Sequence, residues 1–279
     1  VTDYSIVRDF WGRPFVTQNG EKLQYAPGRK TPVNAKAYTR ISTLAGTLDD
    51  KSGLMDWSSA RAMMGIVKSK ALYAQLAHLV SAHEDPWAVP AAKKPLKELV
   101  ERARSLGGAD DASGMGTAFH GLCEVLDGGE KPQYVPRELE PWIAARQARL
   151  EDFDPVLIEP FIVNDGVQAA GNPDRYLLHK PTGTVYAADD KTGSSEPDFP
   201  LQVTIQVAIA SRGVLYDQES GKRTPIKCDQ SRGLLIHTPI REDDPRCELY
   251  WLDLDKGWEL AQLSAQVRDS RKIPKLMKV

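Results

Sequence analysis

The residues in this chain best suited to chemistry are Asp174, Asp189 and Lys191. Asp174 follows Gly171-Asn172-Pro173, where a glycine and a proline bend the chain and let a side chain project away from a sheet. Asp189-Asp190-Lys191 ends the run TVYAADDK, which reads as a strand. Strand side chains alternate with a period of two, so Asp189 and Lys191 share one face and Asp190 takes the other. Adjacent strands lie about 4.8 Å apart, which brings Asp174 beside Asp189 if the register allows it. Two carboxylates at that separation repel unless they share a proton or a hard cation. A divalent metal relieves the repulsion, and Mg2+ takes a few protein oxygens, with water and substrate phosphate completing its octahedron. A lysine beside it can orient an attacking water or neutralise developing phosphate charge. The combination suits phosphodiester hydrolysis. Taken singly, Asp174 is an ordinary turn aspartate and Asp189-Asp190-Lys191 an ordinary solvated strand end.

The elements that must position these residues begin near residue 155. Three strands over 156–163, 169–179 and 184–191 are separated by the turns Asn164-Asp165-Gly166 and Pro181-Thr182-Gly183, and read as an antiparallel meander. A helix over 199–212, strands at 233–237 and 249–252, and a helix over 255–271 follow. Upstream, apolar residues at helical spacing predict one long or two shorter helices over 52–83, then helices over 95–106, 115–127 and 136–150. Residues 1–37 are rich in turn formers, with a hairpin expected around Asn19-Gly20. Helices followed by a mixed sheet with a packed helix predict an α/β core over 108–279, preceded by an N-terminal arm and helical region over 1–107.

This arrangement resembles the PD-(D/E)XK nuclease superfamily, with Pro173-Asp174 as the first part of the signature and Asp189-Asp190-Lys191 as the second. Gly116-Thr117-Ala118-Phe119-His120 is similar to the G-x-x-x-H helix motif of the RecB-like branch. Glu159 occupies the place of the glutamate on the preceding strand, and Gln202 follows the lysine by the expected helix. Trp11-Gly12-Arg13-Pro14 and Tyr38-Thr39-Arg40-Ile41-Ser42-Thr43-Leu44 resemble the N-terminal region of actinobacteriophage RecB-like exonucleases. The resemblance implies a restriction-endonuclease-like core, a mixed central sheet flanked by helices. It also implies Mg2+- or Mn2+-dependent exonucleolytic cleavage of DNA, leaving a 5′ phosphate, in phage DNA replication, recombination or repair. On the same basis His120, Asp174 and Asp189 ligate the metal together with the Asp190 main-chain carbonyl, and Lys191 is the catalytic lysine. Glu159 then binds a second metal or holds a water, and Gln202 orients the lysine or contacts phosphate. The branch usually carries Q-x-x-x-Y after the lysine, whereas Gln202-Val203-Thr204-Ile205-Gln206 ends in glutamine. That departure supports an alternative, a catalytically weak DNA-end-binding or recombination-partner module on the same fold. An RNA-processing enzyme is a third reading.

Charge sharpens the expected division of labour. The 279 residues hold 36 Lys+Arg against 38 Asp+Glu, a net charge of −2. Residues 1–107 carry 16 basic and 10 acidic side chains, and residues 108–279 carry 20 and 28. The basic candidates for DNA contact are Arg61, Lys68 and Lys70 in the helical region and Arg175 next to Asp174, and such contacts weaken with salt. Arg40, Ser42 and Thr43 could hold a terminal phosphate, or could simply form the turn that leads into a helix. Linear DNA ends, double- or single-stranded, are the expected partner, and a recombinase or single-strand-binding protein is a candidate protein partner. The oligomeric state is left open. Cys123, Cys228 and Cys247 are odd in number and lack a C-x-x-C pair, which disfavours a disulfide framework, and three cysteines cannot supply a four-cysteine iron–sulfur cluster. Apolar runs such as 156–158 and 234–236 fall far short of the roughly 18 residues a membrane span needs, and the cysteine pattern makes a reducing cytoplasm the expected location.

Overall fold

A computed structural model describes residues 6–18, 20–193 and 195–271, with backbone alone for 111–113. In chain order the elements are β1 (Phe15–Thr17), β2 (Ala35–Ala37), β3 (Thr39–Arg40), α1 (Ile41–Ala45), α2 (Ser52–Lys68), α3 (Lys70–Ala82), α4 (Pro90–Leu106), α5 (Ala109–Asp127) and α6 (Glu140–Arg149). They continue through β4 (Phe153–Ile158), β5 (Ile162–Asn164), β6 (Ala169–Gly171), β7 (Arg175–His179), β8 (Thr184–Thr192), α7 (Pro200–Ser211), β9 (Val214–Tyr216), β10 (Arg223–Pro225), β11 (Arg232–Thr238), β12 (Glu248–Asp253) and α8 (Leu254–Ser270). Among the described residues no helix is long and apolar enough to cross a membrane.

The chain forms two compact units, Val1–Asp49 with Leu122–Val279, and Asp50–Gly121. A single division at 107/108 therefore does not describe the structure. The arm joins the sheet-bearing unit because its apolar residues complete a core there: Val16 and Tyr38 pack with Val163, Ala170 and Tyr216. β3 also adds to β6 in parallel. β1 and β2 pair antiparallel, Phe15 opposite Ala37 and Thr17 opposite Ala35, so residues 18–34 connect them rather than a two-residue turn. Asn19 of the expected hairpin lies outside the described residues.

In the helical unit, Leu72, Leu99 and Ala103 form a small core flanked by Ile66 and Leu79. The stretch over 52–83 is two helices. Ser69 is extended (φ −128°, ψ 104°), and its side chain accepts from the Leu72 N–H at 3.3 Å, capping α3. The α2 and α4 backbones approach so closely at Gly65 that any Cβ there would collide with the Ala103 carbonyl.

The sheet-bearing unit holds two five-stranded mixed sheets flanked by helices, an α/β architecture, with strand orders β12-β11-β8-β7-β4 and β10-β9-β5-β6-β3. β4, β7 and β8 form the expected antiparallel ladder, and β11 joins β8 in parallel. The first two strands of the expected meander are each broken, however, and their halves enter different sheets: 156–163 divides into β4 and β5, and 169–179 into β6 and β7. The breaks fall at Pro160 and Pro173, which have no N–H to give a ladder, and at Glu159, whose φ of +46° turns the chain out of the strand. α7 lies in the chain between β8 and β11 and buries Val203, Ile205, Val207, Ala208, Ile209 and Ala210, which explains its nearly continuous apolar sequence. Gly257 lets α8 settle on α7, since a Cβ there would stand 2.7 Å from the Thr204 carbonyl.

Candidate active site

The break between the sheets creates the site. The last ladder pairs are Ile158 opposite Arg175 and Arg175 opposite Ala188. One step further lie Glu159, Asp174 and Asp189, so acidic residues of three adjoining segments fall in one row where β4 and β7 leave the sheet. The row is held by main-chain donors: Glu159 N–H donates to the Asp174 carbonyl at 2.9 Å, and Asp190 N–H donates to the Asp174 carboxylate Oδ2 at 2.7 Å. Asn172 Nδ2 donates to the Glu159 carbonyl at 2.9 Å and steadies the turned residue.

On one face of β8, Lys191 Nζ is ion-paired with the Asp189 carboxylate, which is 8% exposed at the residue level. Burial and then the neighbouring Asp189 charge push the Asp174 carboxyl well above the usual carboxylate range. Burial pulls the Lys191 ammonium down, but Asp189 and Asp174 outweigh it and hold its pKa above the ordinary value. The two carboxylates therefore favour the charged form of Lys191.

Asp190 points the other way, as the strand period requires, into a buried quartet. Arg146 Nε meets Asp190 Oδ1 at 2.9 Å and Arg146 Nη2 meets Asp127 Oδ2 at 2.9 Å, while Arg175 pairs with the same two carboxylates. Both arginine side chains are almost completely buried, and four mutually paired charges meet a desolvation cost that none could meet alone. This corrects the sequence expectation for Arg175, which is spent on Asp127 and Asp190 and has no surface to offer DNA. Asp190 contributes its main chain to the row while its side chain anchors the strand from behind.

A cleft of about 350 Å3 opens beside the row, and Arg8, Arg40, Ser42, Asn172, Asp189 and Gln206 are among its lining residues. Burial and then the Arg40 charge lower the Arg8 pKa, so the two guanidinium groups are near enough to feel each other. Thr43 is exposed and is not among the lining residues. Gln202 Nε2 donates to the Ser42 carbonyl at 3.3 Å, so its amide steadies α1 rather than Lys191. The Gln206 side-chain carbonyl is buried with no hydrogen-bond partner among the described residues.

Sequence reasoning missed Arg8, Glu124 and Arg146. Glu124 hydrogen-bonds to Glu159, and burial and then the Glu159 charge raise its carboxyl to about 7. Its one signal was position, a helical turn after His120 in the same apolar helix. Arg8, in an irregular arm, had none. His120, Arg61, Lys68 and Lys70 belong to the helical unit. Arg61 donates to the Gly107 carbonyl at 3.1 Å and Lys68 to the Leu106 carbonyl at 3.4 Å, where they satisfy the C-terminus of α4. Lys70 is exposed.

The donor set fits a hard divalent cation. The repulsion that raises Asp174 is the one such an ion removes, and Asp174, Asp189 and the Asp190 carbonyl are all oxygen donors. Among the described residues no group of three or more His, Cys, Asp or Glu side chains is arranged to hold a metal. No protein-family model matches the chain, and no curated protein matches it.

Proposed function

We propose that the sheet-bearing unit is a metal-dependent deoxyribonuclease that hydrolyses phosphodiester bonds at DNA ends by PD-(D/E)XK chemistry, in phage DNA replication, recombination or repair. One observation carries this reading. Asp189, bound to Lys191, opens onto the same cleft as Arg8, Arg40 and Ser42, so anion-binding groups and the acidic row face one space. Arg8 and Arg40 bind the phosphate oxygens, and guanidinium groups suit that task because their donors match phosphate geometry. Asp174, Asp189 and the Asp190 carbonyl would hold Mg2+ or Mn2+. When bound, the cation supplies the charge that makes water acidic enough to attack phosphorus and that stabilises the leaving 3′ oxygen. Lys191 stays protonated between Asp189 and Asp174 and donates to the charge that develops on the phosphoryl oxygens. The products are a 5′ phosphate and a 3′ hydroxyl.

End-labelled linear DNA and a closed circle, each incubated with the protein and Mg2+ or Mn2+, test the reading. Loss of label from the linear substrate with the circle intact is expected, and rapid nicking of the circle would overturn the exonuclease assignment. Lys191→Ala should abolish cleavage and leave DNA binding in place. A binding-only module is the second reading, favoured by the engagement of Gln202 with Ser42 rather than Lys191. It requires that the native chain bind DNA ends and cut none with either metal.

A further inference from the structure

We propose that the loop Asp9–Arg13 is a base-stacking platform that receives the nucleobase adjoining the phosphate held in the cleft. This inference rests on the nucleic-acid reading of that cleft. The loop is tightly built. Asp9 N–H donates to the Arg13 carbonyl and Gly12 N–H to the Asp9 carbonyl, both at 2.9 Å. The Asp9 carboxylate accepts from the main-chain N–H groups of Trp11 and Arg13 and from the Arg13 guanidinium, at 2.7 to 3.0 Å. Gly12, at φ +74°, closes the turn in a conformation that glycine adopts without strain. Gln218 anchors the stem, accepting from Val7 N–H and donating to the Val7 and Phe15 carbonyls.

All this order serves a tip that hides nothing. Phe10 is 93% exposed and Trp11 69%. Their rings meet edge to face with centroids 5.7 Å apart, and the Arg13 guanidinium lies 5.1 Å from the Trp11 ring centre. Adjacent exposed aromatics on a rigid support, with a cation beside them, are what successive nucleobases stack on. The occupant follows from continuity with the cleft. Arg8 and Gly12, on either side of the aromatic pair in the chain, line the same space as Arg40 and Asp189. A nucleotide whose phosphate rests on Arg8 and Arg40 thus has its base at the loop. Every base has a π face, so the contact tolerates any sequence. Bases within a duplex are already stacked on one another, so the platform favours an end whose last bases are unpaired.

The test measures binding by fluorescence anisotropy, with Ca2+ replacing Mg2+, to duplexes with blunt ends and to duplexes with unpaired 5′ or 3′ ends. Phe10→Ala with Trp11→Ala should weaken binding to one class of unpaired end by about tenfold, with a smaller loss on blunt ends. Phe10→Tyr with Trp11→Phe, which keeps the rings, should restore most of it. 2-Aminopurine at the last unpaired position should be quenched by the native protein and not by the alanine variant. Unchanged affinity and unchanged quenching in the alanine variant, while the native chain still cuts DNA, would overturn the platform and spare the nuclease reading. A native chain that neither binds nor cuts DNA overturns both.

Discussion

The Asp190 main-chain N–H donates to the Asp174 carboxylate at 2.7 Å, so the acid that precedes β7 is fastened to the strand that carries Asp189 and Lys191. The same residue is gripped from behind by Arg146 and Arg175. Asp190 therefore couples a buried charge network on one face of the sheet to the acidic row at its edge. The Asp174 side chain is thereby tied to the main chain of the strand next to Asp189.

Asp174→Asn keeps the shape of the side chain and removes its charge. Metal-dependent cleavage should fall by a factor on the order of 100 or more. In EDTA at pH 8 the variant should be at least as stable as the native chain in urea, because burial and Asp189 already disfavour the Asp174 carboxylate. Full activity in this variant would remove Asp174 from the site.

The Glu124 and Glu159 pair makes stability depend on pH. The Glu124 carboxyl is raised from 4.5 to about 7, so the folded chain holds a proton that the unfolded chain has released. The stabilisation is complete below about 4.5 and is lost as pH rises through about 7. Melting curves in EDTA should show the midpoint falling across that window, and Glu124→Gln should flatten the fall. An equal slope in both proteins would show that the pair does not share a proton.

Arg175 and Arg40 should separate cleanly. Arg175→Ala leaves Asp127 and Asp190 buried with one cation between them, a change that costs about 3–5 kcal/mol and is measured by urea denaturation. Arg40→Ala should leave the urea midpoint nearly unchanged and weaken DNA binding, with the slope of log affinity against log salt reduced by about 1. An Arg175→Ala chain with native stability would contradict the buried quartet.

Gly65→Ala inserts a methyl group between α2 and α4 where the Ala103 carbonyl already stands. The helical unit should lose about 1–3 kcal/mol, read as faster amide exchange in α2 and α4. Native exchange rates would mean that the helices do not approach as described.

Much of this was legible in the sequence. The period-two run at Asp189-Asp190-Lys191 assigned the two faces of β8, and both faces are used as that period requires. Apolar spacing announced the helices α2 and α3, and helices were also expected over 95–106 and 255–271, where α4 and α8 form. The strands over 156–163 and 169–179 were read as continuous because their apolar content hides the breaks. Pro160 and Pro173 were the available signals, and each marks the point where the chain changes sheet.

By itself, the sequence determined the short-range features: which segments coil, which extend, and which side chains of a strand share a face. These follow from steric preferences and periods that act over a few residues. Only the tertiary structure decided how charges pair. Arg175 stands next to Asp174 in the chain yet is consumed by Asp127 and Asp190, while Arg8, distant in sequence, lines the cleft that holds Asp189. The physical reason is that a buried ion is stable only with its counter-ion, and that counter-ion comes from whichever element the packing of the two sheets brings within reach.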